Sequence, residues 1–421
     1  MITYNSSQER DISSAEAIRN LNRAQVLEVV RNHSPISHSD LVAMVQLSRA
    51  TVSSIVSEML EMGLFVKVGQ AASTGGRRPT LLGYHPEART AVGVTMFDNE
   101  IKAVLTDLEG APLRFLKRPW DGQRFEDLVC QMTETVQELC LPEDFVHVLG
   151  VGAGLPGVVD VARGTIVEYV TAGRHMDAPI EARRMMEEAL NLPVIVANRS
   201  RTAALGEMQV GVGKDVNNLF YLSIGRGIVA GIVFQGDIYF GTNFSAGEIG
   251  HNTVVPNGPI CGCGNRGCLE MFASDSAIIA RVIAKAREVP DSLMRQAVNE
   301  GNLQLLTVDI ILDCAQQGDP GARNVLNETG VYLGIALSDA LNILNPQMIV
   351  LGGPIGCKAG ALLLEPTIRE IERHALPMSL SCVQIVAGSE GTESAAIGAA
   401  VLALKNTSIE RIFALPAPVV P

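Results

Sequence analysis

The chain has 421 residues, 47% of them hydrophobic and 19% charged, with a formal net charge of −12. That length exceeds one ordinary core, so two or three domains are expected, and the apolar share excludes a disordered chain. With no basic start leading into an apolar segment and no apolar run long enough to cross a bilayer, neither a signal peptide nor a membrane span is expected, and the cytoplasm is the expected location.

Residues 1–13 are polar and predict a frayed end. From Ser14 to about Asn32, the positions Ile18, Leu21, Val26, Leu27 and Val30 fit one face of a helix. Ser37-His-Ser-Asp40 opens a short second helix running to about Val45, with Ser37 as its N-cap and the tight Gln46-Leu47 turn after it. Ser48 caps a third helix, in which Val52, Ile55, Val56, Met59 and Leu60 recur at helical spacing. Joined in this way the three read as a helix-turn-helix, although any small helical bundle has the same periodicity. The polar face of the third helix favours the first reading. Ser48, Arg49, Thr51, Ser53 and Ser54 cluster at its N-terminal end with no acid before Glu58, a surface that enters a major groove without repelling phosphates.

Phe65-Val-Lys-Val68 and Thr80-Leu-Leu-Gly-Tyr84 then pair as strands around a loop from Ala71 to Pro79 that carries Arg77 and Arg78. This hairpin reads as the wing of a winged helix, with two guanidinium groups for the minor groove or phosphates; a solvated surface hairpin is the plainer alternative. The charge distribution agrees with a DNA-facing segment. Residues 1–86 hold 8 Lys and Arg against 7 Asp and Glu, which leaves 25 against 38 for the remainder, so the acidity belongs to the body.

A break at His85-Pro86-Glu87 marks the expected boundary, giving a first domain over 1–85. The body alternates strands and helices, as an α/β domain does: strands near Ala91–Met96, Lys102–Asp107 and Leu113–Arg118, a helix at Phe125–Leu139, and a buried strand near His147–Gly152. Gly154-Leu-Pro-Gly157 follows that strand, where open α/β sheets place ligand loops, and a plain turn is an equally good reading of those four residues. A second α/β unit starts near Asn218, with strands at Leu219–Ile224, Val229–Phe234 and Asp237–Phe240. Beyond Ser274 come a helical region, the long helix Ala322–Leu344, the strand Met348–Leu351 and a last helix around Ser394–Leu404.

Between the third of those strands and Ser274 lies a Gly/Pro-rich loop that carries Glu248, His251, Cys261, Cys263, Cys268 and Glu270. One imidazole and three thiols are the ligand count and softness of a closed tetrahedral zinc site, and a metal gives a coreless loop a reason to hold one shape. A reducible disulfide between two of the thiols is the alternative. Four protein ligands leave no open position for water, so the expected zinc is structural. Glu248 and Glu270 stand outside that set, where two carboxylates on a stiffened loop grip hydroxyl groups of a polar ligand. The other cysteines, Cys130, Cys140, Cys314, Cys357 and Cys382, form no disulfide-like framework.

The run Ala246-Gly-Glu-Ile-Gly-His251, followed by Cys261-Gly-Cys-Gly-Asn-Arg-Gly-Cys-Leu-Glu270, resembles the signature of the ROK family of sugar-responsive repressors and sugar kinases. Asn345-Pro-Gln-Met-Ile-Val-Leu-Gly-Gly353 is similar to another family segment. The resemblance implies a winged helix-turn-helix followed by an actin-like, ribonuclease H-like two-lobed sugar-kinase fold with a structural zinc loop. The lobes are expected over 86–200 and 201–405, with the helix at about 394–405 packing back on the first lobe and a tail over 406–421. It also implies that His251, Cys261, Cys263 and Cys268 bind Zn2+, that Glu248, His251 and Glu270 meet a sugar, and that Gly157 and Asn198 lie beside it.

Family kinases open the first lobe with Asp-x-Gly-Gly-Thr, whereas this chain reads Val92-Gly-Val-Thr95-Met96-Phe97-Asp98, with Thr95 for the acid and bulky residues where glycines admit phosphates. Family kinases also place an Asp, the general base, after the Asn of an Asn-Asp pair, and here that position is Arg199. A guanidinium remains protonated and takes no proton from a sugar hydroxyl. The second phosphate loop inserts Arg226 between Gly225 and Gly227. The expected function is therefore a non-enzymatic, sugar-responsive transcriptional regulator, a repressor of a carbohydrate uptake or catabolism operon. A homodimer or tetramer would read an inverted repeat in operator DNA, with a sugar-derived effector in the cleft between lobes. Arg199, joined by Arg201, suits an anionic effector such as a sugar phosphate or sugar acid; an internal pair of Arg199 with Glu248 or Glu270, in a pocket that is closed or reads another ligand, is the alternative. A kinase with a displaced base, or a regulator controlled by a protein partner, are the alternatives.

Overall fold

The computed structural model describes residues 15–70, 79–97, 99–120, 124–168, 170–171, 174–175, 178–289, 292–295, 306–389 and 393–416. Arg77 and Arg78 of the expected wing, and Asp98, lie outside them.

The chain opens with helix α1 (Ala15–His33), strand β1 (Ile36–Ser37), helices α2 (His38–Met44) and α3 (Arg49–Glu61), and strands β2 (Phe65–Gln70) and β3 (Thr80–Tyr84). Capping fixes where the two short helices start, because a helix N-terminus leaves backbone donors without partners. Ser37 accepts from the Asp40 amide at 3.2 Å and Ser48 from the Thr51 amide at 3.1 Å. The strands form an antiparallel sheet in the order β1-β3-β2, and the helices bury Val26, Val30, Leu41, Val52, Ile55 and Met59 over it.

Two residues expected on the buried face of α1 are not buried: Ile18 is 50% exposed and Leu21 42%. The inward position in that half of the helix is Asn20, whose amide donates to the Glu410 carboxylate at 3.3 Å. The cause lies at the other end of the chain. Residues 406–421, expected as a tail, contain a helix, Ile409–Ala414, whose Ile409, Ile412 and Phe413 are buried in the same core as α1 to α3. Burying three such side chains contributes about 1.5–3 kcal/mol each. At the junction Arg89 is fully buried and donates to the carbonyls of Met62, Ala88, Ile412 and Leu415, so it joins the end of α3, the start of the body and the last helix.

Strands β4 (Thr90–Phe97), β5 (Glu100–Asp107), β6 (Pro112–Pro119), β7 (Val148–Leu155) and β12 (Val194–Asn198) make the first body sheet, in the order β12-β7-β4-β5-β6. Helices α4 (Phe125–Leu139) and α5 (Ala182–Leu190) cover one face through a core that includes Val94, Leu128, Met132, Val136 and Met186. Short hairpins β8 (Val158–Asp160) with β9 (Thr165–Glu168), and β10 (Val170–Thr171) with β11 (Arg174–His175), follow β7. The second sheet comprises β13 (Leu219–Ile224), β14 (Ile228–Phe234), β15 (Asp237–Ile238), β16 (Met348–Gly352) and β17 (Gln384–Ala387), in the order β15-β14-β13-β16-β17. Helices Asp275–Glu288, Val308–Gln316, Pro320–Leu344 and Ala361–His374 cover its outer face.

Between the sheets runs a pair of helices, α6 (Arg199–Gln209) and Glu393–Lys405. Their alanines share one apolar layer with Ala91 and Val104 of the first sheet and Leu219 and Tyr221 of the second. A side chain at Gly93 or Gly152 would lie 1.9 or 1.8 Å from the carbonyl oxygens of Ala396 or Ala399, so these glycines let the helix Glu393–Lys405 lie directly on β4 and β7. The helix Glu393–Lys405 thus packs on the first body sheet. The expected boundary between residues 200 and 201 falls inside α6, which runs unbroken from its Asn198 cap and leaves no linker there.

Candidate functional site

The Glu248–Glu270 loop folds back on itself through backbone bonds, Cys261 N to Asn265 O at 2.8 Å and Gly267 N to Pro259 O at 2.9 Å among them. It brings His251, Cys261, Cys263 and Cys268 together with all four donor atoms within 4.8 Å of one another, an arrangement able to hold a metal ion. The four were expected as one set from sequence, and all eight cysteines are free, so no disulfide joins any two of them.

Beside this cluster, the start of α6 meets the ends of β4 and β7. Asn198 caps α6 by accepting from the Ser200 amide at 2.8 Å, and its own amide donates to the Gly157 carbonyl at 2.8 Å, so the two residues expected beside the ligand are held together. The Arg199 guanidinium donates to the Met96 carbonyl at 2.9 Å and lies 4.5 Å over the Phe97 ring. Thr95 is fully buried, and its hydroxyl donates to the Gly154 carbonyl at 2.8 Å. Arg199 and the end of β4 therefore form one packed unit, with the guanidinium resting on Phe97. Glu270 accepts from the Ile228 amide at 3.3 Å and lies against Gly227.

Arg201 is the arginine whose charge acts on the Glu248 carboxyl. Burial pushes the Glu248 carboxyl above its usual range, Arg201 and His251 oppose that shift, and Glu270 adds to it. Burial lowers Arg201 in turn, and Glu248 opposes it.

A second surface lies on α3, where Ser48, Arg49, Ser53 and Ser54 are exposed and Thr51 is half-buried. Ser53 lies 3.0 Å from the His38 imidazole of α2, a contact that helical periodicity does not reveal. Glu58, the first acid on this helix, is paired with Arg19 and Arg23 of α1, so its charge is met within the domain. Sequence reasoning also missed Arg89 and the last helix, although Ile409, Ile412 and Phe413 stand at i, i+3 and i+4. Among the described residues no helix is long and apolar enough to cross a membrane.

A family model described as "ROK family" matches residues 91–406. The chain is 28% identical over 398 residues to the xylose repressor of Bacillus spizizenii, covering 94% of this chain and 98% of that one. It is 30% identical over 394 residues to the DNA-binding transcriptional dual regulator NagC of Escherichia coli, covering 93% and 94%. Matches of that coverage extend ahead of residue 91 into the N-terminal helices. Among solved structures it is similar to a crystal structure of a ROK family transcriptional regulator, a homolog of the E. coli MLC protein, with a TM-score of 0.77, 26% identity, and coverage of 94% and 98%.

Proposed function

We propose that this chain, which belongs to the ROK family, is a sugar-responsive transcriptional repressor of the cytoplasm that binds operator DNA through its N-terminal domain and changes its operator affinity when a sugar-derived effector enters the cleft. The observation that carries this reading is that its likeness to repressors runs through the N-terminal helices as well as the body.

DNA contact is assigned to Ser48, Arg49, Thr51, Ser53 and Ser54 at the start of α3, with Arg77 and Arg78 on the loop between β2 and β3. The exposed, acid-free start of α3 and the β1-β3-β2 sheet support a winged helix. Two such domains in a homodimer, or in a tetramer, would read an inverted repeat. The effector is assigned to Asn198, Arg199, Glu248, His251, Glu270 and Gly157. A fixed positive charge at Arg199 favours an anionic sugar derivative.

The metal is assigned as structural zinc. The distances of 3.7 Å between Cys261 Sγ and His251 Nδ1, and 3.7 Å between Cys263 Sγ and Cys268 Sγ, fit the edge of about 3.8 Å that a tetrahedral zinc-thiolate shell requires. Bound there, zinc holds the loop that presents Glu248, His251 and Glu270. Sugar phosphorylation is not part of this reading, because Arg199 takes no proton and the Thr95 hydroxyl is spent on a backbone carbonyl.

Selection of bound sequences from a random DNA pool, repeated with a panel of sugars, sugar phosphates and sugar acids, tests the proposal. The expected result is an enriched inverted repeat that one compound abolishes. No enrichment by folded, metal-loaded protein under any condition would overturn it.

A further inference from the structure

We propose that Arg201 is the positioning residue of the effector site, fastening the segment that leads into Glu248 to helix α6. The proposal rests on the assignment of Glu248 to effector binding made above. Arg201 is 2% exposed, and its Nη2 donates to the carbonyls of Phe244 at 2.5 Å and Ala246 at 3.1 Å, four and two residues ahead of Glu248. Its guanidinium lies 5.7 Å from the centroid of the Phe240 ring, which meets the Phe244 ring edge-on at 6.1 Å.

The same segment is also held by β14. The Ala230 amide donates to the Gly247 carbonyl at 2.7 Å, and Gly247, at φ +92°, has no room for a side chain because a Cβ would lie 2.2 Å from the Ala230 oxygen. Residues 244–247 are thus tied to both α6 and β14 immediately before Glu248.

An arginine is suited to this task for two reasons. One nitrogen reaches two carbonyls at once, and the planar, permanently charged group makes both bonds charge-assisted. Its buried Nε and Nη1 have no hydrogen-bond partner. A buried guanidinium with donors to spare is costly as packing alone, which argues for a role in holding the effector loop. The tie also has a direction. α6 starts at Asn198 and Arg199 and packs along Glu393–Lys405, which leads directly to the last helix in the N-terminal core. A shift of the Glu248 loop is therefore handed to the elements that reach the DNA-binding domain.

Hydrogen exchange on the full, metal-loaded chain and its Arg201→Met and Arg201→Lys variants tests the inference without any effector. The expected result is exchange about tenfold faster or more at amides 244–251 in Arg201→Met, and a smaller rise in Arg201→Lys, with α6 and the two sheets unchanged and operator binding retained. Unchanged exchange at 244–251 would overturn the proposal, and so would a rise spread over α6 and both sheets in both variants, which marks a core residue only. Operator release by the sugar-panel compound that acts on the natural protein is measured alongside, with Glu248→Gln as control. If Glu248→Gln still responds fully, the effector assignment fails while the exchange result stands on its own. If Glu248→Gln loses the response and Arg201→Met keeps it at the same concentration, the positioning role fails.

Discussion

The guanidinium of Arg23 lies 5.0 Å over the ring of Phe413, so the first helix of the domain assigned to DNA and the last helix of the chain are in direct contact. Phe413 is also buried in that domain's core. Phe413→Ala is expected to destabilise the N-terminal domain by about 3 kcal/mol, from the cavity together with the lost cation–π contact. The check is urea unfolding followed by a probe in α3 and another in the second sheet. The first transition should move to lower urea, with operator binding weakened in parallel, while the second stays in place.

His147 gives the same junction a pH dependence. Burial, and next the charge of Arg89, hold its imidazole below the ordinary value of 6.5, and its buried Nδ1 has no hydrogen-bond partner. Because the folded chain disfavours the charged ring, the unfolded chain binds more protons in the window just below pH 6.5. Stability is therefore complete above that pH and falls as pH drops through it. Thermal unfolding between about pH 8 and 5.5 should show the loss, and His147→Gln should flatten it.

Metal removal should separate the two assigned activities. With Cys263→Ser, or after chelation, the loop between Glu248 and Glu270 loses its cross-link, while α3 and the last helix are untouched. Metal analysis is expected to fall from about one zinc per chain toward zero, with the effector response lost and effector-free operator binding kept within about threefold. Operator binding lost together with the metal would place the metal in the DNA-binding fold instead.

Restoring an acid at the base position should not restore a kinase. Arg199→Asp leaves the bulky Phe97 at the end of β4 and leaves the Thr95 hydroxyl bonded to the Gly154 carbonyl. The expected outcome is no sugar-dependent ATP consumption above background in a coupled assay. A turnover near one per second, common among kinases, would show that the first phosphate loop still works.

Local chemistry was the most legible part of the chain. Ser37 and Ser48 announced their helices because a cap is a contact between near neighbours in sequence. The four metal ligands were readable for a related reason, since the loop joins residues few positions apart and the donor types are specific. What could not be read were pairings between distant segments. Ile18 and Leu21 fit a helical stripe as well as Val26 does, and only the arrival of Glu410 beside Asn20 decides which face of α1 turns inward. The continuity of α6 through residue 200 was hidden likewise, because its burial depends on a helix some 190 positions later. Arg199 was legible as a lost base. Its seat on Phe97 required the two strand ends to be brought together.

The place of Ile409–Ala414 in the N-terminal core also sets an order of events at the ribosome. Synthesis runs from the N-terminus, and early domains ordinarily fold as they emerge. Here α1 to α3 emerge first, yet wait for Ile409, Ile412 and Phe413 before their apolar surface is fully covered. A polypeptide cut short by a premature stop or a stalled ribosome carries every residue assigned to the operator but lacks the piece that completes their scaffold. Damaged messages would thus yield fragments that proteases clear, rather than partial repressors occupying operators without responding to sugar.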